Sequence, residues 1–271
     1  MKKKGILLTV VILLSVGGLT QAQDELGVTV DVTWVSKYIW RGFDRLDDKV
    51  AFQPSINLDL YDTGLSFNLW SSHAGSSAEG GSISTVDAEE WRYALTYTDS
   101  VLDGETYKTD WSVSWVYYDF PDMASEDADA QEFNLALSWP DICPAGVVPR
   151  YTLIRMWPAQ GGGDASAMGG FIHAFGFGYD FTVPELLPDV PEQTLSFTWD
   201  IIYNDGTGSG IGAFSASDVD HDWSHMLWGL STAIECGPGT FTPAVYYQTS
   251  MDDSVNDEDE FWVGLSYTVS F

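Results

Sequence analysis

Positive charge is what this sequence has least of. Its 271 residues carry 11 Lys and Arg against 40 Asp and Glu, and a chain so acidic is a poor partner for nucleic acid. Catalytic signatures are missing as well. The four histidines are His73, His173, His221 and His225, and neither G-x-S-x-G nor H-E-x-x-H occurs. Nucleophilic hydrolysis wants a serine beside a histidine oriented by a third polar group. Ser224 and His225 are adjacent, but neighbours on a strand point to opposite faces. The expectation is a non-enzyme with no metal site and no cofactor. Beyond Gln23 no uninterrupted apolar stretch approaches the roughly 20 residues of a membrane helix. If such a chain is integral to a membrane it must be a closed barrel, because every backbone polar group has to be paired in hydrocarbon.

Lys2, Lys3 and Lys4 precede an apolar run from Ile6 to Val16, with small residues around Thr20-Gln21-Ala22. That order is the n-region, h-region and cleavage site of a secretory signal. Residues 1–22 are therefore expected to be removed, and residues 23–271 to form one domain, since no linker or low-complexity tract divides them. Without the three leading lysines, eight Lys and Arg face 40 Asp and Glu, a formal charge of −32. The excess reads either as solvation of exposed loops or as attraction of cations.

What the chain has in quantity is a period of two. Val28, Val30, Val32 and Trp34 alternate with Thr29, Asp31 and Thr33, which writes one apolar and one polar face on an extended strand. Phe52, Ile56, Leu58 and Leu60 against Gln53, Ser55, Asn57 and Asp59 repeat the pattern. Asp62-Thr63-Gly64 is a tight turn into the next run. About twelve such runs follow one another, an even count that returns both chain ends to the same side. Connections alternate between short, such as Asp62 to Gly64, and long, such as His73 to Asp87. The fold expected is all-β: a 12-stranded antiparallel transmembrane β-barrel of a bacterial (Gram-negative-type) outer membrane. Two segments sit awkwardly. Strict alternation in Val147 to Trp157 would turn either Arg150 or Arg155 towards lipid, so a bulge or an early strand end is expected there. Val183 to Glu192, with Pro184, Pro188 and Pro191, is long for a periplasmic turn and is expected to fold under the barrel mouth.

Aromatic residues fall at strand ends. Tyr38, Trp40, Trp91, Tyr117, Trp157 and Tyr203 are expected in an outer girdle, and Tyr97, Trp139, Tyr179, Tyr267 and Phe271 in an inner one. The closing strand, Phe261 to Phe271, ends on an aromatic residue. Tyr267 and Phe271 thus read as the signal for the barrel assembly machinery, with outer-membrane lipid and lipopolysaccharide as further partners.

Alternation turns Asp31, Lys37, Arg41, Asp59, Glu90, Arg92, Asp110, Arg150 and Asp200 towards the lumen. A lipid-facing charge at mid-depth costs about 2–4 kcal/mol, so inward is the only cheap placement. These groups either set a field that sorts solutes by charge or form salt bridges that fill the barrel. Twelve strands about 4.8 Å apart and tilted roughly 40° enclose a cylinder about 24 Å across, which Trp70, Tyr118 and Tyr246 could narrow. Outer loops gather Asp44, Asp47 and Asp48; Asp122, Glu126, Asp127 and Asp129; Asp218, Asp220 and Asp222; and Asp252, Asp253 and Asp257 to Glu260. Carboxylates suit hard cations, but none has EF-hand spacing, and a solvated acidic rim is expected. Cys143 and Cys236 lie in expected periplasmic turns about 20 Å apart, against the roughly 7 Å between Cα atoms that a disulfide tolerates.

Val35-Ser36-Lys37-Tyr38-Ile39-Trp40-Arg41-Gly42-Phe43 resembles the V-S-x-Y-x-[FW]-R-G segment near the mature start of the TorF-type outer-membrane porins. Ser36, Tyr38, Trp40, Arg41 and Gly42 carry the likeness, which extends through Pro54 to Asn68-Leu69-Trp70-Ser71-Ser72. The family's position after Ser is often acidic, whereas here it is Lys37. The resemblance implies an exported barrel with a channel role and names no solute. The function expected is passive diffusion of small, cationic or neutral solutes. The alternative is a non-conducting structural or adhesive barrel whose acidic loops bind divalent ions.

Overall fold

The computed structural model describes residues 26–75, 89–143, 145–160, 169–184, 192–208 and 219–271. The expected signal segment 1–22, most of the Pro-rich 183–192 connection and Asp218 lie outside them. Strands β1 (Gly27–Val35), β4 (Ala51–Asp59), β5 (Leu65–Ala74), β6 (Glu90–Val101), β7 (Thr109–Asp119) and β8 (Ala130–Ser138) make the first half of one sheet. Strands β9 (Val147–Pro158), β10 (Gly170–Val183), β11 (Gln193–Asp205), β12 (His221–Thr232), β14 (Gly239–Ser250) and β15 (Glu260–Ser270) make the second. A short β2 (Ile39–Trp40) and β3 (Phe43–Asp44) pair only with each other. One-turn helix α1 (Ser125–Ala128) precedes β8, and β13 (Ile234–Cys236) prolongs the hairpin between β12 and β14.

Each long strand pairs antiparallel with its chain neighbours, and β1 pairs with β15, so twelve strands close into a barrel. The seam runs in register from Thr29 opposite Ser270 to Val35 opposite Gly264. The Phe271 N–H donates to the Val28 carbonyl at 2.9 Å, which pairs the chain to its last residue. Among the described residues no helix is long and apolar enough to cross a membrane. Strand alternation appears as two surfaces. Phe52, Leu95, Trp115, Phe133, Phe175, Val245 and Phe261 stand exposed on the outside, while Gln53, Val116, Glu132 and Ala244 are buried within. This is the apolar-out, polar-in pattern expected of a barrel in lipid.

One expectation about regularity is corrected. Strand β9 carries no bulge: its register with β8 and β10 runs unbroken through Arg150 and Arg155. Arg150 faces inward. Arg155 lies on the outer face, opposite Phe133 and Phe171, near the end of the strand. Its Nη1 donates to the Met156 and Gly170 carbonyls at 2.6 and 2.8 Å, and its guanidinium lies 4.8 Å from the Phe171 ring centre. A charged head that reaches carbonyls at the rim need not be buried in hydrocarbon, so no backbone irregularity is required. The bulge lies in β12 instead, where Ile202 pairs with His225 and Tyr203 with Trp223, leaving Ser224 extra.

Gly176 faces inward opposite both Arg150 and Asp200. The two side chains meet across it in a bidentate pair, Nε to Oδ1 at 2.8 Å and Nη2 to Oδ2 at 2.5 Å. A Cβ at Gly176 would collide with the Asp200 carboxylate and the Trp199 carbonyl, whereas one at Gly178 would meet nothing closer than 4.0 Å. Replacing Gly176 with Val should therefore lower barrel stability by about 1–3 kcal/mol through overpacking, while Gly178→Ala should stay within about 0.5 kcal/mol of the parent. Urea unfolding midpoints in detergent, read by tryptophan fluorescence, check the contrast.

Candidate functional site

We refer to the barrel end that holds Gly27 and Ser270 as the near end and to the opposite end as the far end. At the far end the chain leaves β1 at Val35 and does not reach β4 until Ala51. This segment turns into the barrel rather than out of it. Tyr38, Trp40, Phe43 and Leu46 are all buried. The Arg45 N–H donates to the Tyr38 carbonyl at 2.9 Å, continuing the ladder of Ile39 with Asp44 and Trp40 with Phe43. At the tip, Arg41 and Gly42 have φ of 51° and 95°, and positive φ at both central residues is what a type I′ hairpin turn requires. Gly42 is needed for space as well as for conformation. A Cβ there would come within 2.7 Å of His225 Nδ1 and of Val255 Cγ1.

The hairpin touches the wall all round. Its apolar side chains join one cluster with Val116, Tyr118, Ile154, Met156, Ile172, Ile202 and Val255, contributed by β7, β9, β10, β11 and the loop before β15. The Gly42 carbonyl accepts from Gln248 Nε2 at 2.9 Å and Asn256 Nδ2 at 3.2 Å. Its cations find the acids of the wall. Lys37 Nζ donates to Glu260 Oε2 at 2.7 Å and also contacts Asp48. Arg41 Nη2 meets Glu132 Oε2 at 2.6 Å, and Arg45 Nη2 lies 3.6 Å from Glu90 Oε2. Glu90, Glu132 and Glu260 are each less than 5% exposed. Wall partners complete the network: Tyr118 donates to Glu132 at 2.8 Å, Asn134 Nδ2 to Glu132 Oε1 at 2.5 Å, and Arg92 Nε to Glu90 Oε1 at 2.6 Å. The Tyr38 hydroxyl donates to Glu90 Oε2 at 3.1 Å and touches the Arg92 guanidinium. Arg92 itself is sandwiched, 4.3 Å from the Trp70 ring centre and 4.7 Å from that of Tyr118.

Magnitudes assign the roles. Burying each of the large apolar side chains is worth about 1.5–3 kcal/mol, whereas the Coulomb gain of a buried ion pair is largely cancelled by desolvation. Apolar fit seats the hairpin. The ion pairs set its register, because removing Lys37 or Arg41 would leave Glu260 or Glu132 as a buried charge without its cation. Burial works against the Lys37 ammonium, but the hydrogen bonds and charges of Asp48 and Glu260 overcome it and hold the amine above its ordinary pKa. Asp44 is pushed up by burial, only partly offset by the Asp48 and Leu46 N–H groups it accepts from. Above the hairpin lies an acidic crater whose wall includes Asp44, Asp47, Asp48, Asp253, Asp257 and Glu258. The carboxylates of Asp44, Asp48 and Glu260 come within 4.8 Å of one another, and the Lys37 ammonium already sits against two of them.

The two halves of the lumen therefore differ. The far half is filled. In the near half the inward side chains are small and polar, among them Ser55, Asn57, Asn68, Thr96, Ser112, Ser114, Thr152 and Thr198, and all remain partly exposed. Tyr246 narrows this wall little, since its ring lies flat, 3.4 Å from where a Cβ would stand on either Gly229 or Gly264. Asp31 accepts from Thr33 and Thr268, both at 2.7 Å. Asp59 accepts from Asn57 at 2.9 Å, and Asp110 lies 3.3 Å from Lys108. Of the nine charged positions expected in the lumen, Lys37, Arg41, Glu90 and Arg92 gather at the hairpin. Asp31, Asp59, Asp110, Arg150 and Asp200 do not join them.

Other expectations change. Tyr38 and Trp40 do not belong to an outer girdle, because their segment turns inward. Asp129 is not a solvated rim acid: 2% exposed, it accepts from the Phe120 N–H and the Tyr117 hydroxyl. Ser224 and His225 do not point apart, because the bulge brings Ser224 Oγ to 2.9 Å from His225 Nδ1, both buried. Among the described residues no carboxylate bonds that histidine, and His225 packs under Gly42. Ser36 exchanges bonds with Val263 across the seam, and the Tyr267 hydroxyl donates to the Cys236 carbonyl at 2.8 Å. Phe271 is 68% exposed. Cys143 and Cys236 are free thiols. Glu132 and Glu260, central to the site, were not among the expected lumen charges. Their inward parity on β8 and β15 was the available signal.

No family model and no curated protein matches this chain, so membership of the TorF-type family is not established. Solved structures share its fold. The chain is similar to the KdgM porin (TM-score 0.52, 8% identity, covering 90% of this chain and 99% of that one). It is similar too to the outer membrane channel from Pseudomonas putida F1 (0.50, 8%, 94% and 100%). LpxR from Salmonella typhimurium also aligns (0.50, 9%, 89% and 99%). The fold is that of a 12-stranded outer-membrane β-barrel.

Arg92 tests the site's dependence on shape as well as charge. Lys cannot stack between two rings while bonding Glu90 and Tyr38, so Arg92→Lys should cost about 1–3 kcal/mol. A chemical-denaturation midpoint equal to that of the parent would refute this.

Proposed function

We propose that the barrel passes small, cationic or neutral solutes passively across the outer membrane. The single observation that carries this reading is the near half of the lumen, lined by small polar side chains that stay partly exposed. Its inward charges are mostly acidic. Among the described residues Asp31, Asp59, Asp110, Asp180 and Asp200 outnumber the cations beside them, since Arg150 pairs with Asp200 and Lys108 with Asp110. A low-dielectric wall around such a charge set favours cations over anions. The likeness to the KdgM porin and to the Pseudomonas putida channel supports the channel class at the level of fold. The segment from Val35 to Phe43 supports kinship with TorF-type porins. The terminal Phe271 and the aromatic exterior fit assembly into a lipopolysaccharide-bearing membrane by the barrel machinery, after removal of residues 1–22.

A second reading is favoured by the filled far half: a non-conducting structural or adhesive barrel that presents its acidic crater to a surface partner or to divalent ions. Planar-bilayer recording of the purified protein in a KCl gradient separates the two. Discrete openings with a reversal potential on the K⁺ side are expected. A silent membrane, or preference for Cl⁻, would refute the channel reading.

A further inference from the structure

We propose that residues 37–49 are a displaceable plug, and that Glu90, Glu132 and Glu260, the buried carboxylates it neutralises, form the ring that admits cations when it withdraws. The inference rests on the channel reading and names the gate of that channel. Four of the eight basic residues outside the leading segment lie in this stretch, at Lys37, Arg41, Arg45 and Lys49. Three of them face the three wall glutamates, one each. Lumen filling alone would be served by apolar side chains, which carry no desolvation cost. Instead the hairpin brings into the lumen the charge that a permeating cation would bring.

The hairpin is also built to move as a body. Its ends are fixed, by the exchange between Ser36 and Val263 and by the Gly75 N–H donating to the Val50 carbonyl at 2.8 Å. Between these anchors no strand pairing among the described residues joins it to the wall, since β2 and β3 pair only with each other. Its backbone hydrogen bonds are internal and would travel with it. The polar contacts broken on withdrawal are side-chain pairs and the two bonds to the Gly42 carbonyl, all of which water can replace. Glu90 would keep Arg92, whereas Glu132 and Glu260 would each lose their cation and face the lumen charged.

Replacing residues 37–49 with an equally long Gly-Ser segment tests the plug. The variant, checked for folding by heat-modifiable mobility on a gel, should show severalfold higher single-channel conductance than the parent in KCl, with stronger K⁺ preference. Adding Glu90→Gln, Glu132→Gln and Glu260→Gln to it should move the reversal potential towards zero. External spermidine, as a polycation probe, should block the replaced variant and not its triple-Gln derivative. Two point variants guard against global damage. Arg41→Glu should raise open probability, and combining it with Glu132→Arg should restore the closed state. Gly42→Val, which leaves every charge in place, should also open the barrel. A folded replacement variant that conducts like a conducting parent overturns the plug and leaves the channel reading standing. One that stays silent overturns both. A charge ring without influence on selectivity overturns the role given to the glutamates.

Discussion

Backbone closure is the constraint on which everything else in this molecule depends. A strand in hydrocarbon must have each N–H and C=O paired, and an open sheet has two edges that fail the test. Here the first and last strands meet in register, and the final residue still bonds to Val28. Once the seam is closed, a cylinder about 24 Å across has an interior that must be either packed or wet. The protein does one at each end. Small, partly exposed polar side chains line the near half, while the segment after β1 turns back to pack the far half.

Charge follows from that division. A chain with so few cations spends half of those outside its leading segment on one hairpin rather than on its acidic rim. The reason is dielectric. A carboxylate on the rim is solvated and loses little by standing alone, whereas Glu132 at 1% exposure would carry an uncompensated charge. Guanidinium suits this place better than ammonium, because its planar fork can bond an acid while its face stacks on a ring. Arg92 does both, and Arg45 pairs with Glu90 at 3.6 Å while lying 4.9 Å from the Trp40 ring centre and 5.7 Å from that of Phe120. Of the three cations that face the wall glutamates, Lys37 is the most exposed and is the ammonium.

The twelve strands were legible in the sequence because alternation is dictated by lipid outside and water inside, a contrast that every strand meets in the same way. Arg155 was misread because strict alternation was weighed without depth: near the rim an outward guanidinium has carbonyls to reach. The bulge at Ser224 left no mark, since no Gly or Pro announces it. Tyr38 and Trp40 were misplaced for a related reason. Alternation counts residues along a chain and does not record when the chain has left the wall. The clues to the hairpin were compositional: basic residues spaced by four, and an Arg-Gly pair where a type I′ turn would later sit. Neither has meaning until the barrel closes around the segment and supplies Glu90, Glu132 and Glu260 from three different strands.

Whether a packed lumen is a wall or a gate depends on how its packing is bonded. Backbone pairing between a plug and the barrel would make them one sheet, and removal would leave unpaired edge groups in both. This hairpin shares no ladder with the barrel, so its withdrawal exposes side chains rather than backbone. The cost that keeps it in place is then the hydration of Trp40, Phe43 and Leu46 against the recovery of water by the buried carboxylates, two terms of opposite sign. Terms that oppose each other leave a small difference, and a small difference is what a solute, a field or a change of salt can tip. A barrel plugged purely by apolar side chains would lack the second term and would stay shut. The acidity of the ring that the hairpin covers is thus what makes its seat reversible.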